Sequence, residues 1–251
     1  MSNLSGKTTI IVGASRGLGH GIATALADAG AHVVAVSRTE AEFLGPTGGS
    51  GTIDIEVADA GDATVPAALL DRYEPDAVVL VAGATPHMRP LPQQTWETFS
   101  VNWQTDVRIA FHWLREALLR PLAPGGRVVV FSSGAALNPG GSPLSGGYAG
   151  AKATQRFITA YAQAESNRAG LGLAFTAVMP QFAPETGVGR AAVHAYAAHA
   201  AQPVEAFLEQ RPYRLLTPEI AGAALVELLE ADAAAVAPGY VLSGAGLEEL
   251  S

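Results

Sequence analysis

The chain contains no cysteine. This excludes disulfide stapling, thiolate metal sites and thiol catalysis. Lysine is nearly missing as well: of 15 cationic side chains, only Lys7 and Lys152 are lysines, and the others are arginines. Charged residues make up 15% and aromatic residues 7%. Acidic residues outnumber basic ones, 23 to 15, so the net charge is −8. Such a balance argues against a nucleic-acid or anionic-membrane binder and leaves a small molecule as the expected partner. Nowhere do about 18 apolar residues run without interruption, so no membrane span is expected. Residues 1–7 are polar and lead into a short apolar run that soon meets glycine, which is not the pattern of a signal peptide. Together with the lack of cysteine, this leads us to expect a cytoplasmic protein. The six histidines follow no H-E-x-x-H or similar spacing, so no metal site is expected. The 28 glycines and 16 prolines are scattered, with no repeat and no low-complexity tail.

What is present is a 251-residue chain that is 49% hydrophobic, enough for one α/β domain. Short β-rich runs alternate with longer Ala/Leu-rich stretches. Strands are predicted at residues 8–13, 32–37, 52–57, 76–82, 127–132, 171–179 and 239–243. Helices are predicted at 18–29, 63–72, 93–120 (in pieces), 147–169, near 190–201, and 218–230. Alternation along the whole chain implies βαβ units. The expected architecture is one domain of class α/β, a doubly wound parallel seven-stranded sheet with helices on both faces. The rhythm breaks twice. Residues 39–51 hold room for one helical turn and then a Gly/Pro-rich stretch. Residues 181–214 form a long excursion after the sixth strand, expected to act as a substrate lid.

Between the first strand and first helix lies Gly13-Ala14-Ser15-Arg16-Gly17-Leu18-Gly19. A tight turn that brings backbone N–H groups close to a pyrophosphate at a helix N-terminus needs glycines at these positions. The second strand ends Ser37-Arg38-Thr39, with no acid until Glu40. An acid there would bind a ribose 2′-hydroxyl, whereas Arg38 is a planar, permanently charged phosphate ligand. Ser37 and Thr39 can donate hydrogen bonds, and Arg16 lies nearby in the glycine turn. Two arginines at one nucleotide point to NADP(H) over NAD(H).

Tyr148 and Lys152 stand four residues apart on a predicted helix, so phenol and ammonium share a face. A neighbouring ammonium favours the phenolate and makes the phenol a usable proton donor and acceptor near neutral pH. With six tyrosines and two lysines in the chain, the spacing is improbable by chance.

Through these motifs the sequence resembles the short-chain dehydrogenase/reductase family, from Lys7 to Gly244, and the resemblance implies a Rossmann fold. The family's Gly-x-x-x-Gly-x-Gly turn matches Gly13, Gly17 and Gly19, with Ser15, Arg16 and Leu18 between them, and its Tyr-x-x-x-Lys matches Tyr148 and Lys152. The resemblance implies a catalytic serine after the fifth strand, Ser133 by register, with Ser132 as the alternative. It implies a catalytic asparagine at Asn102, preceded by Trp96. It implies an adenine contact from Glu56 and Val57, with Asp54 as the alternative. Ala82, Gly83, Pro180 and Phe182 are implied at the cofactor.

The resemblance further implies that Tyr148 protonates a carbonyl oxygen held by Ser133 while nicotinamide delivers hydride. Lys152 would tune the phenol and bind the ribose, and Asn102 would support a water that resupplies the proton. A homo-oligomer, tetramer or dimer, is implied in the same way. Departures from the family are also legible. Its Asn-Ala-Gly reads Val81-Ala82-Gly83, its Pro-Gly reads Pro180-Gln181, and its usual threonine is met by Thr186. A substrate pocket is expected from residues 85–89, Trp103, residues 138–144 and the 181–214 excursion, with Phe182, Tyr196 and Phe207 giving it apolar character. The expected activity is NADPH-dependent reduction of a carbonyl, or the reverse oxidation of a secondary alcohol. The competing expectation is a non-catalytic NADP(H)-binding regulatory or sensor protein.

Overall fold

The structure is a computed structural model that describes residues 4–43, 49–138, 143–210 and 214–250. Its centre is one sheet of eight strands in the order β3-β2-β1-β4-β5-β6-β7-β8. The strands are β1 Thr8–Val12, β2 His32–Ser37, β3 Thr52–Val57, β4 Ala77–Leu80, β5 Arg127–Phe131, β6 Ala174–Pro180, β7 Gly239–Ser243 and β8 Gly246–Glu249. All neighbours from β3 to β7 are parallel; β8 runs antiparallel to β7. The expected doubly wound α/β sheet is present, with eight strands in place of seven. The extra strand is a hairpin partner of β7, closed by Gly244 and Ala245 and entered through Gly246 at φ +100°. Its four residues carry too little alternation to stand out in the sequence.

The helices are α1 Gly17–Asp28, α2 Thr64–Tyr73, α3 Trp96–Phe99, α4 Arg108–Leu119, α5 Gly146–Ala169, α6 Gly187–His199, α7 Val204–Glu209 and α8 Pro218–Glu230. The predicted 93–120 helix is indeed broken. A short 3₁₀ turn at Leu91–Gln93 precedes α3, which opens on a reciprocal cap between Thr95 and Thr98. A π-helical turn over Trp103–Val107 then leads into α4. No helical turn occurs at residues 39–43 or 49–51; the rest of that predicted stretch lies outside the described residues.

β1, β2, β4, β5 and β6 are buried along nearly their whole length, as apolar parallel strands covered on both faces must be. On one face, α1 and α8 cover a core that includes Ile11, Ile22, Leu26, Val178, Leu225 and Leu242. The two helices meet backbone to backbone: a Cβ on Gly222 would stand 2.6 Å from that of Ala25. On the other face, α2, α4 and α5 cover Ile10, Val34, Val78, Val128 and Phe175. Trp113 is fully buried there, and its indole N–H donates to the Ala60 carbonyl at 3.2 Å. Burying a side chain of that size contributes about 1.5–3 kcal/mol, and the hydrogen bond satisfies its polar edge. Among the described residues no helix is long and apolar enough to cross a membrane.

The strand order reverses between β1 and β4, whose outer neighbours are β2 and β5. A doubly wound sheet opens its ligand crevice at such a point, beyond the carboxyl ends of the strands.

Candidate active site

A cavity of about 670 Å³ lies at that crevice. It is lined by the β1–α1 turn, the ends of β2, β4, β5 and β6, the start of α5, and α6 with α7. This volume lies within the range of about 300–1,000 Å³ usual for small-molecule and cofactor sites.

One end of the cavity is built by the expected glycine turn. Gly13 takes φ +94°, and a Cβ on it would stand 2.6 Å from the Ala82 amide nitrogen. A Cβ on Gly19 would overlap the Gly13 carbonyl oxygen. The turn is therefore closed against both β4 and its own helix. Helix α1 begins with no side-chain cap from Arg16 and no acid in its first turn, so its N-terminal amides and positive dipole end face the cavity uncompensated. Ser15, Arg16, Gly17 and Leu18 line the same wall.

Arg16 and Arg38 both line this end and are exposed, and neither makes an ion pair among the described residues. Ser37 lines the cavity, but its hydroxyl donates to the Thr39 carbonyl at 2.5 Å. Thr39 is not part of the wall.

The acid expected at the adenine end is displaced. Glu56 turns towards α2, where its carboxylate accepts from Arg72 at 2.7 Å and from the Tyr73 hydroxyl at 2.5 Å. Neither it nor Val57 lines the cavity, and Asp54 is held by His32 at 3.0 Å. Ala58, Asp59 and Ala60, just beyond β3, form this wall instead.

The other end gathers the expected chemical groups. Tyr148 and Lys152 face the cavity from α5, with the ammonium 5.7 Å from the phenol ring centroid. The Lys152 ammonium donates to the Phe131 carbonyl at 3.1 Å and pairs with Asp106 at 3.1 Å. Burial acts to lower the Lys152 pKa. Asp106, followed by Tyr148, outweighs burial, and the net direction is upward. Ser132 and Ser133 both line the cavity, with different engagements. Ser132 is buried and its hydroxyl donates to the Lys152 carbonyl at 2.7 Å; Ser133 is half-buried and accepts from the Ala135 amide at 3.2 Å. Ser133 therefore accepts one hydrogen bond and keeps its own hydroxyl proton to donate.

Asn102 is buried and does not line the cavity; its amide donates to the Ala84 carbonyl at 2.8 Å. Ala82, Gly83, Pro180 and Phe182 line the wall with Gln181. Gln181 keeps negative φ and donates its amide to Leu242 at 2.8 Å, so the missing glycine distorts nothing there. Thr186 caps α6, accepting from Gly189 at 3.0 Å, and its methyl group lies against Gly17.

Sequence reasoning missed Asp106, Asp59 and the pairing of Ser145 with Tyr196, whose hydroxyls stand 2.6 Å apart. A carboxylate four residues after Asn102, and so on the same helical face, was the available signal for Asp106. Asp59 and Ser145 had none, because their placement depends on tertiary packing.

A family profile described as short chain dehydrogenase matches residues 7–197. The chain belongs to the short-chain dehydrogenase family, whose members use NAD(P) on small-molecule substrates. It is 32% identical over 108 residues to an L-xylulose reductase of Mesocricetus auratus, a match covering 42% of this chain and 43% of that protein. The chain thus spans less than half the length of this curated relative. Among solved structures, a short-chain dehydrogenase/reductase from Burkholderia xenovorans superposes with a TM-score of 0.78 over 97% of both chains at 22% identity, which speaks to fold alone. A candidate NAD(P)-dependent gluconate 5-dehydrogenase from Beutenbergia cavernae, holding NADP at low occupancy, superposes with a TM-score of 0.72 at 25% identity, over 95% of this chain and 94% of that one.

Proposed function

We propose that this member of the family is an NADP(H)-dependent oxidoreductase that reduces a small carbonyl compound, or oxidises the corresponding secondary alcohol. The observation that carries this reading is one cavity with two chemically distinct ends. Arg16, Arg38 and the open N-terminus of α1 stand at one, and Ser133, Tyr148 and Lys152 at the other.

The residues fit such a cofactor: the glycines let the turn close against Ala82 and its own helix, and the uncapped N-terminus of α1 lines the cavity where a pyrophosphate would bind. Arg16 and Arg38 would hold a 2′-phosphate, against the chain's overall charge of −8. Asp59 stands where an adenine would end, and Pro180, Gln181 and Phe182 would flank the nicotinamide. The bound dinucleotide supplies or accepts the hydride. Everything else falls to the chain. Ser133 donates a hydrogen bond to the substrate oxygen, and Tyr148 delivers the proton to that oxygen in reduction and removes it in oxidation. Two of the three Lys152 donors are engaged by Phe131 and Asp106, which leaves one to meet a ribose hydroxyl.

The excursion after β6, carrying α6 and α7, acts as the substrate lid. Phe182, Tyr196 and Phe207 pack as one aromatic cluster beneath it, with ring centroids 6.1 to 6.4 Å apart. The test is a panel of ketones with NADPH and NADH, run on the native protein and on Tyr148→Phe. Tyr148-dependent NADPH oxidation supports the reading. Equal affinity for the two cofactors, or turnover that survives loss of the phenol, overturns it.

A further inference from the structure

The Asp106 carboxylate is fully buried, and its surroundings are built for it. It sits in the π-helical turn before α4. One oxygen accepts the Ala84 amide at 2.8 Å, and the Asn102 amide lies 3.3 and 3.4 Å from the two oxygens. Its own carbonyl accepts from Gln155 of α5 at 2.9 Å. A Cβ on Gly83 would stand 2.8 Å from the second oxygen, so the carboxylate occupies space that only glycine leaves open. That second oxygen meets the Lys152 ammonium at 3.1 Å, and the lysine side chain is 6% exposed. A buried carboxylate without a cation is strongly disfavoured, and so is a buried ammonium without an anion. Each therefore supplies the counter-charge that the other's burial requires.

We propose that Asp106 is a positioning residue of the catalytic site. It fixes the Lys152 ammonium and cancels much of its charge, and thereby sets the pH at which Tyr148 gives up its proton. A lone ammonium beside a phenol favours the phenolate; an ammonium already paired with a carboxylate does so far less.

Other charged or titratable groups face the cavity from every side. Arg16, Arg38 and Asp59 stand at the nucleotide end, and Tyr196 and His199 look in from α6. Among the described residues only Asp106 lies within ion-pair distance of Lys152. The proposal rests on the reading of Tyr148 as the proton donor, yet it can be measured without turnover.

The experiment is a near-ultraviolet titration of the phenolate band, with the Tyr148→Phe spectrum subtracted to isolate Tyr148. It is run on the native protein and on Asp106→Asn, and folding is checked by circular dichroism. We expect the Tyr148 midpoint to shift by about one pH unit or more in Asp106→Asn, because the charge on Lys152 beside the phenol changes. With an active ketone, the alkaline limb of kcat/KM for reduction should move with that midpoint, by the same amount. Asp106→Ser, smaller and with room for a water, should shift the midpoint likewise if the Asn variant does not fold. An unchanged midpoint in a folded variant overturns the proposal and reduces Asp106 to a structural part. A shifted midpoint in a protein that turns over no ketone sustains the ion-pair role and removes the reaction assigned to the site.

Discussion

The hydroxyl of Ser132 donates to the main-chain carbonyl of Lys152 at 2.7 Å, tying the end of β5 to the helix that carries the reactive pair. Its neighbour Ser133 lines the cavity and makes no such tie. The two serines should therefore separate on substitution. Ser132→Ala removes a buried hydrogen bond to a carbonyl that keeps its helical partner, and should cost about 0.5–1.5 kcal/mol of stability. Ser133→Ala should leave the melting temperature nearly unchanged and lower kcat by about 10²-fold or more, as removal of an oxyanion-directed donor does. Denaturant melts and steady-state kinetics on both variants check this, and the reverse pattern would exchange the two roles.

The arginine pair predicts cofactor preference. Arg38→Ala removes a charge-assisted bond to a 2′-phosphate, worth about 1.5–3 kcal/mol, so NADPH should bind roughly 10- to 100-fold more weakly. NADH affinity should change little, because its ribose carries no phosphate. Arg16→Ala should act in the same direction. Fluorescence titration with both nucleotides at fixed salt is the measurement, and parallel losses for the two would remove the 2′-phosphate from the argument.

How far this site was legible varies with the kind of signal. The glycine turn and the Tyr148–Lys152 spacing are local, since three to four residues of sequence fix which groups share a face, and both groups line the cavity. Glu56 is different. Its position at the end of β3 was legible, but its partners Arg72 and Tyr73 belong to the next helix, and they turn the carboxylate away from the crevice. Asn102 was placed on the right segment. Its side chain is buried against Ala84, and it is Asp106, in the π-helical turn that follows, that reaches Lys152. The doubly wound sheet was readable from the strand–helix alternation. The eighth strand was not, because a four-residue return hairpin is defined by its partner β7 more than by its own residues.

The α1 N-terminus gives a test that does not involve turnover. A methyl group on Gly19 would overlap the Gly13 carbonyl, which belongs to backbone on the opposite side of the same turn. Gly19→Ala must therefore open the turn. Loss of measurable NADPH binding is expected, along with a lower melting temperature in the apoprotein. A variant that binds normally would show that the pyrophosphate lies elsewhere.

Lys152 makes a prediction about pH and stability. Its pKa is raised in the folded chain, because Asp106 and Tyr148 together outweigh the burial that works against the charge. A base whose folded pKa exceeds its unfolded value stabilises the fold fully below the ordinary lysine value of about 10.4, and that contribution fades as pH rises through the folded pKa. Denaturant melts taken up the alkaline range should therefore show a loss of stability setting in above the usual lysine range. Asp106→Asn removes the main raising influence while leaving the burial, so its folded lysine releases the proton at lower pH and the pair no longer contributes. The variant should be less stable than the native chain at neutral pH, and the gap should narrow as alkali also breaks the native pair. A gap that stays constant across the alkaline range would mean that the ion pair at 3.1 Å contributes packing rather than charge.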